Sequence, residues 1–195
     1  HIGSVRALVV VTTDKCYENQ EHDRGYLETD RLGGHDPYSA SKAGAEMVAA
    51  SYRRAFFSRK GTPLLATARA GNVIGGGDWS EDRLIPDLVR AAAAGRTLEA
   101  RSPEATRPWQ HVLESLNGYL SLGAHLLEGR REFEGAWNFG PALDDGLTVA
   151  GLLDRMRASW PGLAWTASQQ PEPPETRLLC LHSTKARRTL GWKPG

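Results

Sequence analysis

The apolar run from Val5 to Thr12, closing in hydroxyl residues, reads as a central parallel strand whose carboxyl end opens on a site. Cys16 to Asp36 is polar and carries Asn19, Gly25, Gly33 and Gly34, the residues of a long loop. Pro37 then starts a helix expected over Tyr38 to Ser58, running through Ala45, Val48, Ala49 and Tyr52. Gly61-Thr62-Pro63 turns the chain into a second strand, Leu64 to Ala70. Strand, helix and strand in this order imply a right-handed crossover, with both strand ends on one edge of a sheet. Gly71 to Asp82 forms a second loop over that edge. The pattern next predicts a helix from Arg83 to Ala94 ended by Gly95, an extended piece from Thr97 to Arg101, and a helix from Leu113 to Glu128. Ala136 to Phe139 reads as a buried strand closed by a Gly140-Pro141 turn, and Leu147 to Trp160 as a helix with Leu152, Leu153 and Met156 on one face. A proline-rich turn, Pro171 to Pro174, precedes a strand (Thr176 to Leu181) and a short helix (Ser183 to Leu190).

Length and charge narrow the class. A chain of 195 residues can bury a core as one domain or two small ones. The net charge of +1, from 24 basic and 23 acidic residues, argues against nucleic acid or an anionic membrane as the main partner. Apolar stretches are far shorter than a membrane span, and no signal peptide is visible. Two cysteines, Cys16 and Cys180, do not make a disulfide framework, which fits a reducing cytoplasm. No two histidines bracket a Glu at helical spacing, and no Gly-x-Ser-x-Gly or Gly-x-x-x-x-Gly-Lys run occurs. Metal hydrolysis, esterase and P-loop chemistry are therefore disfavoured, and no metal is expected.

The candidate chemistry lies at the expected strand ends. Tyr38 and Lys42, four apart on the first helix, share a face. An ammonium there favours the tyrosinate, so the phenol can take a proton from a substrate hydroxyl. Thr13 and Asp14 stand where strand gives way to loop, as a catalytic pair or as a simple cap. Gly75-Gly76-Gly77 is either a flexible turn or a close backbone approach to phosphate, and Arg107 is either a surface ion pair or a fork for phosphate oxygens.

Four blocks occur in order: Thr12-Thr13-Asp14-Lys15-Cys16-Tyr17, Gly33 to Lys42 with its Tyr38-Ser39-Ala40-Ser41-Lys42 core, Arg69 to Trp79 with its Gly-Gly-Gly-Asp-Trp run, and Arg107-Pro108-Trp109-Gln110-His111-Val112. Across nearly the whole chain they resemble the extended short-chain dehydrogenase/reductase superfamily. Within it the chain looks most like the CDP-glucose 4,6-dehydratase branch, where a Lys follows the active-site Asp. The resemblance implies a Rossmann-like α/β fold holding the catalytic half of a parallel sheet. Residues 1–75 would be the C-terminal half of the dinucleotide-binding domain. Residues 76–195 would be mainly substrate-binding, interleaved with the last elements of the first domain.

The resemblance also implies NAD as cofactor, a nucleotide-sugar substrate and a homodimer formed when full length. Tyr38 would remove the 4-hydroxyl proton, and Lys42 would also hold the nicotinamide ribose. Thr13 would hydrogen-bond the 4-hydroxyl and Asp14 would protonate the departing 6-hydroxyl. Lys15 replaces a Glu common in other branches, and could act as base if partly neutral, orient a water, or stabilise an enolate. Asn72 and the loop to Arg83 would form the diphosphate-sugar site, with Arg83 beside the nucleotide and Arg107 paired with the diphosphate. Arg177 would be a second phosphate contact, in a block that departs from the family pattern at His182 and Pro173-Pro174. A 4-epimerase, a dehydratase for another nucleotide, and a non-catalytic remnant are the rival readings. No Gly-x-Gly-x-x-Gly follows any strand, so a fragment is expected, with the family's first roughly 100 residues preceding His1 and a further helix following Gly195. Alone, the chain should then bind NAD⁺ poorly. Micromolar affinity in a calorimetric titration would refute this.

Overall fold

A computed structural model describes residues 3–22, 24–142, 146–169 and 178–194. Its elements are β1 (Ala7–Val11), α1 (Pro37–Ala55), β2 (Leu64–Ala70), β3 (Val73–Ile74), α2 (Leu84–Ala93), β4 (Leu98–Ala100), β5 (Thr106–Arg107), β6 (Gln110–His111) and α3 (Val112–Leu127). They continue with β7 (Gly135–Phe139), β8 (Leu147–Thr148), α4 (Val149–Ser159) and β9 (Trp165–Ala167). β1, β2 and β7 form a parallel sheet in that order, with Ala7 opposite Leu64 and Ala66 opposite Gly135.

Every residue of β2 is buried, because helices cover both of its faces. On one face Leu64, Ala66 and Ala68 pack with Leu122 and Leu126 of α3 and with Phe133, Trp137, Phe139 and Trp192. The small alanines let α3 come close, and Gly118 completes the fit: a Cβ there would lie 2.4 Å from the Phe139 ring. On the alternate face Thr67 and Arg69 turn to α1. α1 begins as the sequence predicts, with the Asp36 carboxylate accepting the Ser39 N–H at 2.9 Å and Pro37 in the first turn. Arg53 and Arg54 in its last turn suit the negative end of the helix dipole.

Three two-stranded ladders surround this sheet. β3 pairs with β6, β5 with β8, and β4 with β9. The β4–β9 ladder joins α2 and α4 around Leu88, Ala100, Val149, Leu153 and Leu163. None of the described helices is long and apolar enough to cross a membrane.

Two expectations need correction. The helix expected from Leu147 begins at Val149, because the Thr148 hydroxyl accepts the Gly151 N–H and leaves Leu147–Thr148 extended against Thr106–Arg107. In place of the strand expected from Thr176 to Leu181, Leu178 and Leu181 form only isolated bridges, to Thr106 and Tyr26. Residues 176 and 177 and the proline-rich turn lie outside the described residues. The short terminal helix ends in a π-helical turn, Ala186–Leu190, stopped by Gly191 at φ 66°.

Candidate active site

The carboxyl ends of β1 and β2 and the amino end of α1 meet at one edge of the sheet. Thr13 leaves β1 extended and caps a short 3₁₀ turn, Asp14–Cys16, by accepting the Lys15 N–H at 3.4 Å. Its hydroxyl donates to Asp14 Oδ1 at 2.9 Å. The other carboxyl oxygen, Oδ2, is buried with no hydrogen-bond partner among the described residues. Burial pushes the Asp14 pKa up to about 6, against the Thr13 hydroxyl, the Lys15 N–H and the charges of Lys15 and Arg107. A carboxyl that keeps its proton to near neutrality is suited to donate it.

This shift has a measurable consequence for stability. The folded pKa lies above the unfolded one, so the folded state binds more protons between about pH 4 and 6. The contribution is fully present below the unfolded pKa and is lost as pH rises through about 6, at a cost of about 3 kcal/mol. Asp14→Asn, which cannot ionise, should therefore melt about 6–12 °C higher than the parent at pH 8 and nearly equal to it at pH 4. Thermal scans of both proteins at the two pH values check this. A difference that did not grow with pH would mean that the carboxyl is solvated.

Gly71, directly after β2, brings backbone against this carboxyl. A Cβ there would lie 2.5 Å from Pro108 Cγ and 3.0 Å from Asp14 Oδ2. Asn72 follows and accepts the Gln110 N–H through its carbonyl at 3.1 Å. Arg107 precedes Pro108 on β5, donates to the Thr106 carbonyl at 3.1 Å, and its charge reaches Asp14. Tyr38 and Lys42 occupy the first turns of α1, with Lys42 Nζ 5.6 Å from the phenol ring centre and Tyr38 48% exposed. Lys15 is exposed, and its charge acts on Asp36, the cap of α1.

Thr13, Asp14, Lys15, Tyr38, Lys42, Asn72 and Arg107 thus share one edge. Arg83 is exposed at the start of α2, where its charge acts on Asp78. Arg177 lies outside the described residues.

Beneath the site lies a polar network that the sequence reading passed over. Glu46 and Arg69, each 3% exposed, pair at 2.7 Å. Glu46 Oε2 also accepts from the Thr67 hydroxyl at 2.7 Å, while Oε1 accepts from the Thr12 hydroxyl. Arg69 donates to the Tyr17 hydroxyl at 2.7 Å, Tyr17 donates to Asn138 at 2.8 Å, and Asn138 donates to the Tyr26 carbonyl at 2.7 Å. Burial alone would raise the Glu46 pKa, but the Arg69 hydrogen bond and charge and the two threonine hydroxyls hold it below the usual carboxylate range. Two signals were available: an Arg inside the otherwise apolar strand Leu64–Ala70, and a Glu continuing the four-residue step from Tyr38 through Lys42.

Residues 2–138 match the NAD dependent epimerase/dehydratase family, and the chain belongs to that family. It has the Rossmann-like fold of the extended short-chain dehydrogenases. The chain is 43% identical over 198 residues to CDP-glucose 4,6-dehydratase of Salmonella typhimurium, covering 99% of this chain and 55% of that protein. To dTDP-glucose 4,6-dehydratase 1 of Escherichia coli it is 24% identical, over 94% of this chain and 52% of that one. Among solved structures it resembles DesIV, a dTDP-glucose 4,6-dehydratase from Streptomyces venezuelae with NAD bound. That likeness has a TM-score of 0.74 at 26% identity, over 97% of this chain and 55% of the other. An epimerase from Methanothermobacter thermautotrophicus shares the fold with a TM-score of 0.82 at 20% identity, over 98% of this chain and 55% of the other. The chain spans about half the length of the curated relatives it matches.

Proposed function

We propose that this chain supplies the catalytic and substrate-binding part of an NAD-dependent lyase that dehydrates CDP-glucose to CDP-4-keto-6-deoxy-glucose. The observation that carries the reading is Asp14, a buried carboxyl with a pKa near 6, one unpartnered oxygen, and a backbone approach at Gly71. A 4-epimerase has no step that requires such an acid. Tyr38 and Lys42, adjacent and open at the sheet edge, fit the nicotinamide and ribose end of NAD, whereas no glycine turn for its pyrophosphate exists in this sequence. Bound there, NAD would supply a reversible store for the hydride that leaves C4 of the sugar and ends at C6.

The chain's own residues carry the proton chemistry. Thr13 hydrogen-bonds the 4-hydroxyl and Tyr38 takes its proton, leaving a ketone that acidifies C5–H. The C5 proton passes to a water beside Lys15. Asp14 gives its proton to the 6-hydroxyl, which departs as water across C5 and C6, and a proton from solvent is returned to C5 in the product. Lys15, exposed beside Asp14, contributes positive charge next to the enolate. Arg107 and Asn72 hold the diphosphate, Arg83 the nucleotide, and Arg177 is assigned a second phosphate contact. Residues 1–75 are assigned to the C-terminal half of the dinucleotide-binding domain, and residues 76–195 mainly to the substrate domain, interleaved with the last elements of the first, a division supported by β7 pairing with β2. Val48 and Tyr52, exposed on α1, and Phe56 just past its end support a homodimer through this helix; the enzyme is assigned to the cytoplasm with no nucleic-acid partner.

The test is a chimera with the amino-terminal segment of the Salmonella relative placed ahead of this chain. Mixed with CDP-glucose and NAD⁺, it should release a product lighter by one water. Conversion to CDP-galactose without loss of water would overturn the dehydratase reading. Arg107→Ala should weaken CDP binding about 30- to 1000-fold, or about 2–4 kcal/mol, because phosphate oxygens lose a charge-assisted partner. Calorimetry with CDP measures this, and unchanged affinity would make Arg107 a structural residue.

A further inference from the structure

We propose that Thr12 and Glu46 are positioning residues, forming the tie that fixes the Tyr38–Lys42 pair relative to the Thr13–Asp14 pair. The inference rests on the functional reading above for what is being positioned, but the tie itself is a matter of geometry. Tyr38, Lys42 and Glu46 follow one another at four-residue steps, so Glu46 continues the same helical stripe two turns beyond the phenol. Its carboxylate is 3% exposed and spans two strands at once. One oxygen accepts the hydroxyl of Thr12, which is joined directly to Thr13 and whose own N–H is held by the Ala68 carbonyl at 2.9 Å. The other oxygen accepts from Thr67 and Arg69 on β2, each at 2.7 Å. The two halves of the candidate machinery sit on different elements, α1 and the turn after β1. Glu46 bonds α1 to Thr12, the residue before the Thr13 cap of that turn.

Arg69 extends the tie to the far side of the turn. Through its second nitrogen it donates to Tyr17, the residue that closes the Asp14–Cys16 turn. The turn bearing Asp14 is therefore fastened on one flank by Thr12 and on the other by Tyr17, and both lead back to Glu46. Such a connection sets separation and angle, the quantities to which proton transfer is most sensitive.

The experiment compares Thr12→Val, which keeps shape and loses the hydroxyl, with Thr12→Ser, which keeps the hydroxyl. Glu46→Gln serves as the stronger variant, and the Thr12 pair stands alone if Glu46→Gln does not fold. On this chain as it is, amide hydrogen exchange should quicken on the order of 10-fold in both the Thr13–Tyr17 and Ala40–Ala43 segments of Thr12→Val, with β2 unchanged. Thr12→Ser should match the parent. In the chimera, Thr12→Val should lower kcat roughly 10- to 100-fold with KM little changed, and Thr12→Ser should restore kcat. Exchange that stays at the parent rate in either segment overturns the tie, as does an unchanged kcat in an active chimera. Coupled exchange in a chimera that leaves CDP-glucose untouched would sustain the tie and sink the functional reading instead.

Discussion

Tyr38→Phe in the chimera is expected to cut turnover of CDP-glucose by a factor of ~10² to 10⁴, the usual loss when a general base is removed. Phenylalanine keeps the ring and removes only the oxygen. The ring stands at the exposed start of α1 and is not core packing, so the fold should be unaffected. Substrate affinity should change little, because the residues proposed to hold the diphosphate lie on other elements. The loss must therefore appear in the chemical step. Rapid mixing with CDP-glucose, followed by absorbance of the reduced cofactor, isolates that step from product release. A parent-like rate of cofactor reduction would remove Tyr38 from the role of base.

Asp14→Asn should separate the first half of the reaction from the second. The amide preserves size and can still meet the Thr13 hydroxyl, but it has no acidic proton to give the departing 6-hydroxyl. Oxidation at C4, proposed to depend on Tyr38 and Lys42, should persist in part. The variant should hold substrate as a 4-ketone with reduced cofactor, and release of the 6-deoxy product should fall ~10²- to 10⁴-fold. Running the reaction in deuterated water and weighing the sugar shows whether exchange at C5 continues while water loss stops. Unimpaired release of a 6-deoxy product would take the acid role away from Asp14.

Much of this arrangement was legible in the sequence because its signals are local. Pro37 after Asp36 announces the start of α1, the glycine and proline at 61 and 63 announce β2, and both elements fall within a few residues of expectation. Tyr38 and Lys42 share a face through helical geometry alone. What could not be read depends on partners distant in sequence. Nothing near Asp14 foretells that its carboxyl is dehydrated, since that follows from burial in a fold that brings Gly71, 57 residues later, against it. Arg69 looks misplaced in an apolar strand until Glu46, 23 residues earlier, is seen facing it. The Leu147–Thr148 strand was hidden because its ladder partner, Thr106–Arg107, is equally short and carries no alternation of its own.

The position of β7 in the chain bears on how the site comes into being. β1 and β2 can pair once α1 has formed, but β7 joins β2 across the whole stretch from residue 70 to residue 135. The Tyr17–Asn138 hydrogen bond closes an even longer circuit, between residues 121 positions apart. Contacts of such high order carry the largest entropy of closure and form late. On a ribosome, the turn carrying Asp14 therefore emerges long before the strand that holds Tyr17 in place. Of the contacts that support the proposed site, those reaching β7 are expected to close last.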